Sequence, residues 1–142
     1  MDPIHVRAKL LSQHERLRAD LAECADLARG LRIGEPNVVE LDAALTRLRL
    51  NFAEHNACES ELVRPLLHRS PLWGSVLIDR MLEEHLAEHA AFWAMLSGSA
   101  VEVAEHMDDL VDELDAHMAA EERTFLSPGV LHEDAVALHR EP

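Results

Sequence analysis

An all-α fold, an up-down-up-down antiparallel four-helix bundle, is predicted by three features of the 142-residue chain. The composition is that of a helix former: 48% of residues are apolar, with much Leu and Ala, and there are only five Gly and six Pro and no Tyr. Large apolar side chains recur at alternating steps of three and four along four separate stretches, the spacing that left-handed bundle packing requires. Short Gly-, Pro- and Ser-containing breaks separate those stretches, and short connections join antiparallel neighbours. A chain of this length buries roughly two thirds of its unfolded surface in one core, so residues 1–142 are expected to form a single domain with its body at about 5–128. A short terminal helix, or an arm across the bundle end, is the expectation for residues 129–142.

The helices follow in order. Asp2 before Pro3 marks the first helix start, with Pro at the first helical position. Its stripe is Leu10, His14, Leu17, Leu21 and Ala28, with Cys24 or Ala25 filling the gap, and Gly30 is placed to end it in a left-handed conformation. The segment Leu31–Asn37 then forms a loop carrying Gly34 and Pro36. The second helix runs from about Asn37 to Pro65, which kinks or ends it. Its stripe is Val38, Leu41, Leu45, Leu48, Phe52, His55, Glu59, Leu62 and Leu66. Ser70 and Pro71 open the third helix, with Leu82, His85, His89, Phe92 and Leu96 on one face, and Trp73 anchors the loop before it. Ser97, Gly98 and Ser99 make a tight break, and Ser99 with Glu102 forms the capping box of the fourth helix. That helix carries Val103, Met107, Leu110, Leu114, His117, Glu121 and Phe125 and ends at Ser127–Gly129.

Each stripe is interrupted by imidazole or carboxylate at a position otherwise reserved for apolar side chains. Burying such groups is costly unless something compensates, and two of them at i, i+4 can converge on one metal ion. His14, His55, Glu59, His85, His89, His117 and either Glu121 or Glu122 fall at depths compatible with one layer about two turns thick, at ~1.5 Å per residue. Glu121 continues the apolar stripe, while Glu122 points ~100° away. Five core imidazoles paired only with each other or with two carboxylates would leave ring nitrogens unsatisfied in a dry interior, which favours metal over isolated His–Glu hydrogen bonds.

Imidazole nitrogen and carboxylate oxygen without thiolate suit iron, manganese or zinc. Seven ligands exceed one tetrahedral ion but fit two octahedral ions sharing two bridging carboxylates, one ion taking three His and the other two. With an oxo or hydroxo bridge added, the three-His ion is complete and the two-His ion keeps one open position, where a small diatomic ligand such as dioxygen could bind.

The remaining polar residues have plainer readings. His5, His68, His132 and His139 lie near ends or loops and face solvent. His106 is ~16 Å along the helix from His117, too far to share a site. Glu54, Glu83, Glu84, Glu88, Asp108, Asp109 and Asp112 form solvated acidic faces, and Cys24 and Cys58 are small buried hydrophobes without chemistry. The net charge of −14 argues against nucleic acid and anionic membrane as partners. No apolar run approaches ~18 residues and no export signal is present at the start, so a cytoplasmic location is expected.

The ordered set of motifs resembles the hemerythrin family, including hemerythrin-like HHE cation-binding domains: a lone His on helix 1, H-x3-E on helix 2, H-x3-H-x2-F on helix 3 and a His–acid pair on helix 4, over about residues 5–128. The resemblance implies a non-haem centre of two iron ions, carboxylate-bridged and oxo- or hydroxo-bridged, that binds dioxygen reversibly or senses it. By the same resemblance its ligands are His14, His55, Glu59, His85, His89, His117 and one helix-4 glutamate. The oxygen carriers have H-x4-D on helix 4, which matches Glu122 in spacing, whereas the apolar stripe favours Glu121. The connection between helices 2 and 3 is also longer than in the carriers.

Storage, delivery or sensing of dioxygen, with a separate protein partner in the sensing case, is therefore the leading functional expectation. A di-iron enzyme that decomposes peroxide or reduces nitric oxide is the alternative, although no Tyr or further acid lies on the stripes as a proton donor. The third reading is a regulatory module that metal merely stabilises.

Overall fold

Asp2 starts the chain's first helix by accepting a hydrogen bond from the Ile4 amide at 2.9 Å, with Pro3 at the first helical position. A computed structural model describes residues 2–69 and 74–127. They are all-helical: α1 (Pro3–Arg32), α2 (Val38–Cys58), a π-helical turn (Glu59–Val63), α3 (Arg64–Arg69), α4 (Ser75–Leu96), α5 (Ala100–Glu105) and α6 (Met107–Arg123). The features expected at Ser70, Pro71 and Trp73, together with those at Pro128, Gly129 and the segment to Pro142 with His132 and His139, lie outside the described residues.

Helix α1 runs two residues past Gly30, and it is Gly34 that takes the positive φ, +95°. A Cβ at position 30 would meet only the side-chain ends of Glu35, at 2.4 Å, and Asn37, at 2.7 Å, both of which lie beyond the helix. The break after α4 follows the sequence: Gly98 has φ +106°, and Ser99 Oγ accepts from the Glu102 amide at 3.2 Å.

Two helices depart from the regular pattern. Pro65 does not end helix 2. The chain widens into the π turn over Glu59–Val63 and continues into α3, the wide turn falling where the proline ring would clash with the carbonyl four residues back. The extra residue shifts the buried face, so Val63, Leu66 and Leu67 are buried while Leu62 is only partly so. The fourth helix is divided at His106. Arg32 donates to the Ala104 carbonyl at 2.7 Å and to Asp108 at 3.2 Å, occupying an acceptor that the helix ladder would otherwise use. His106 itself bonds the Met95 carbonyl at 3.0 Å through Nε2. At its far end α6 stops at Arg123, before Ser127, and the Leu126 amide turns back to the Glu121 carbonyl at 2.9 Å.

Buried apolar side chains fall into two clusters. The larger joins Leu17, Leu21, Leu45, Leu48, Phe52, Phe92, Leu110 and Leu114 among others; the smaller joins Val6, Leu10, Val63, Leu66, Ile78, Leu82 and Phe125. On every long helix the polar interruption lies between them in sequence: His14 between Leu10 and Leu17, His55 and Glu59 between Phe52 and Val63, His85 and His89 between Leu82 and Phe92, and His117 and Glu121 between Leu114 and Phe125. A polar layer thus divides the apolar interior. Helices α1 and α2 pack most extensively, whereas α4 makes far fewer close backbone approaches.

Candidate metal centre

The polar layer is built by helix periodicity. His55 and Glu59 from α2 and the π turn, and His117 and Glu121 from α6, are i, i+4 pairs on the buried faces. His85 and His89 come from successive turns of α4, and His14 enters alone from α1. His14 is fully buried, His55, Glu59 and Glu121 are 4% exposed or less, and His89 and His117 are below 10%.

Glu121 is the common neighbour. Its Oε1 lies 2.9 Å from His14 Nε2 and 3.6 Å from His55 Nε2; its Oε2 lies 3.0 Å from His85 Nε2 and 2.7 Å from His117 Nε2. Glu59 sits opposite, with Oε1 2.5 Å from His55 Nε2 and Oε2 against His85 Nε2 and 3.8 Å from His89 Nε2. The rings crowd one another as well, His85 and His89 having centroids 4.0 Å apart and His14 and His55 4.8 Å. Phe52, Phe92 and Phe125 approach His89, His117 and His85 edge-on and close the layer on its apolar sides.

Glu122 does not face this cluster. It accepts from His14 Nδ1 at 2.7 Å and from Arg18 at 2.8 Å, on the outer side of the ring. His117 has a similar outer partner, its Nδ1 donating to Glu88, and His55 Nδ1 donates to Gln13 Oε1 at 2.7 Å. Glu88 is thus not simply a solvated charge: a charged position three residues from His85 and one before His89 turns toward α6. Gln13 and Glu88 escaped the sequence reading because neither lies on an apolar stripe; adjacency to His14 and His89 was their only signal. His5 and His68 are exposed, and Cys24 and Cys58 are free.

The cluster's charges are strongly coupled. Burial disfavours charged imidazole, but the Glu121 and Glu59 carboxylates outweigh it and hold His55 up to about 9 and His85 up to about 10. His117 is raised for the same reason, by Glu121 and Glu88 against burial. Burial, reinforced by the neighbouring His85 and His117, pushes His89 down to about 3. Glu121 stays well below the usual carboxylate range, since the imidazoles of His117, His14, His55 and His85 crowded around it override its burial. In the metal-free chain, protons on imidazole balance the buried carboxylates.

Protons balance the charge without satisfying the geometry. His55 Nε2, His89 Nε2, His117 Nε2, Glu59 Oε1 and Glu121 Oε2 are buried without a properly directed hydrogen-bond partner, although N···O separations are short. Lone pairs that crowd together without pointing at one another's hydrogens are disposed as ligands around a shared cation. Two overlapping groups could each hold one: His85, His89, His117 and Glu121, and His14, His55, Glu59 and Glu121, with one ligand atom from each residue of a group within 4.8 Å of the others. The donor set fits a cation of borderline or hard character.

The profile of the Hemerythrin HHE cation binding domain matches residues 5–126. The chain belongs to the hemerythrin HHE cation-binding family. The match spans every side chain of the cluster, and this hemerythrin-like chain carries both metal-capable groups inside the matched region. No curated protein and no solved structure matches it. Among the described residues no helix is long and apolar enough to cross a membrane.

Proposed function

We propose that this hemerythrin-like protein is a cytoplasmic non-haem di-iron protein that binds dioxygen or a similar small diatomic ligand for storage, delivery or sensing. In this reading the helices form one antiparallel up-down-up-down four-helix domain, with α2 to α3 as one helix and α5 to α6 as another. Its ligands are His14, His55, Glu59, His85, His89, His117 and Glu121. The observation that carries the reading is the pair of overlapping groups, one with three imidazoles and one with two, sharing Glu121.

Two iron ions, held by these seven side chains, would supply redox-active metal and a position for the small diatomic ligand. The protein's own part is to fix and shield that position. Gln13, Glu88 and Glu122 hold the outer nitrogens of His55, His117 and His14, which aims each inner nitrogen at the cluster. Phe52, Phe92, Phe125 and the two apolar clusters pack hydrocarbon against it on the sides away from solvent. The net charge of −14 leaves nucleic acid and anionic membrane out of the proposed partners, and a sensor would signal through a separate protein.

Anaerobic loading with ferrous iron tests the assignment. Two equivalents retained per chain and an absorption change reversed by removing oxygen are expected. One equivalent or none, or a spectrum indifferent to oxygen, overturns it. Sustained peroxide disproportionation or nitric oxide reduction by the loaded protein would instead favour the enzymatic alternative.

A further inference from the structure

Beside the cluster, a cavity of about 270 Å³ opens between the π turn, α4 and the end of α6. Glu59, His85 and His89 form part of its lining, and Val63, Leu82 and Phe125, all buried, are its apolar walls. Leu86, which is 59% exposed, and the exposed Ser60 and Arg64 stand on its solvent side.

The space, which includes whatever room metal held by Glu59, His85 and His89 would take, exceeds what a diatomic ligand needs. A water molecule takes ~30 Å³ in the liquid, so the cavity has room for roughly nine such volumes. It approaches the lower end of the range for small organic ligands, about 300 Å³. Its polarity is divided as well. The walls are hydrocarbon, the inner lining holds a carboxylate that would repel an anion, and the cation on the solvent side, Arg64, has no carboxylate within 4 Å among the described residues.

We propose that this cavity binds a medium-chain aliphatic monocarboxylate, with its carboxylate at Arg64 and Ser60 and its hydrocarbon chain lying along Val63, Leu82, Leu86 and Phe125 over His85 and His89. Arg offers a planar pair of donors matched to a carboxylate, and the chain replaces water on an otherwise apolar surface. An anionic head at the rim also avoids Glu59. Bound in this way, the chain fills the space next to the cluster and limits what else reaches it from this side. Binding needs the cavity and not the metal, so it stands or falls separately from the di-iron reading.

Calorimetric titration of the full chain, metal-free and iron-loaded, with butyrate, hexanoate, octanoate and octanol tests the proposal. One site per chain is expected in both forms, with affinity rising about fourfold per added methylene. Octanol, which lacks the charge, should bind at least tenfold more weakly than octanoate. Arg64→Gln, at an exposed position, should weaken octanoate at least fivefold and leave octanol unchanged. Leu86→Glu, also exposed, should weaken octanoate further by placing a second anion at the mouth. Chain-length-independent binding, equal affinity for octanol, several weak sites per chain, or an unchanged affinity in Arg64→Gln would each overturn it.

Discussion

Glu121 and Glu122 hold opposite nitrogens of one imidazole: Glu121 Oε1 lies 2.9 Å from His14 Nε2 inside the cluster, and Glu122 Oε2 lies 2.7 Å from Nδ1 outside it. Consecutive helix residues point ~100° apart, so the same ring separates a cluster member from a residue that orients it. Glu121→Ala should abolish retention of metal in both groups, because both include Glu121. It should also destabilise the metal-free chain by about 3–5 kcal/mol through stranded buried charge. Glu122→Ala should retain the full metal complement with about 10–100-fold weaker affinity. Metal content after dialysis against graded chelator, with thermal melts, separates the two. Equal metal loss in both variants would refute the division of roles.

Glu88 reaches from α4 to the Nδ1 of His117 on α6, although its side chain is 55% exposed. Because Glu88 is largely solvated, Glu88→Gln should move the melting of the metal-free chain by no more than about 0.5 kcal/mol. Metal affinity should nevertheless fall about tenfold, as the charged acceptor that fixes the ring's tautomer and raises its basicity is replaced by a weaker, neutral amide oxygen. A competition titration with a coloured chelator reads this directly. An affinity identical to the parent's would mean that the contact does not orient His117.

The metal-free chain should be most stable near neutral pH. His55 and His85 sit at about 9 and 10, above their ordinary 6.5, so their contribution is complete below 6.5 and is lost as pH rises through 9 to 10. His89 is at about 3, so the unfolded chain takes up a proton below 6.5 that the folded chain refuses, and stability falls as pH drops from 6.5 toward 3. Glu121, lowered, adds a loss below its usual 4.5. Denaturant midpoints across pH 4–10 should trace a maximum. A metal must displace the protons on His55 and His85, and any on the likewise raised His117, so loading near pH 7.5 should release two or more protons, measured by calorimetry in buffers of different ionisation enthalpy. Loading without proton release would contradict the proton-balanced cluster.

Helix α4 contributes His85 and His89 but packs least closely against the other long helices. Much of what holds it should therefore pass through the cluster. Chelation is expected to raise amide exchange in Ser75–Leu96 by tenfold or more, with far smaller changes in α1 and the part of α2 before Phe52. Uniform acceleration across all helices would show that metal stabilises the fold globally instead.

Periodicity made the cluster legible. Each of its seven side chains stands on an apolar stripe where a charged or polar group needs a reason, and that reason can be read without coordinates. The partners Gln13, Glu88 and Glu122 were not legible in their roles, since they lie beside the stripes and their value depends on which neighbouring helix stands opposite. The break at His106 and the wide turn before Pro65 were hidden for a related reason. The first is accompanied by Arg32, seventy-two residues from the Ala104 carbonyl it bonds, and the second lies where a proline is absorbed without ending its helix.

The sequence by itself determined the helices, their buried faces and the residue types that interrupt them, because period and composition are local properties of the chain. Tertiary structure alone decided between the stripe's Glu121 and the carrier-like spacing of Glu122, which ring nitrogens are left without directed partners, and how much empty space lies beside them. Those depend on helix rotation, register and separation, and no spacing within a single helix encodes the distance to the next.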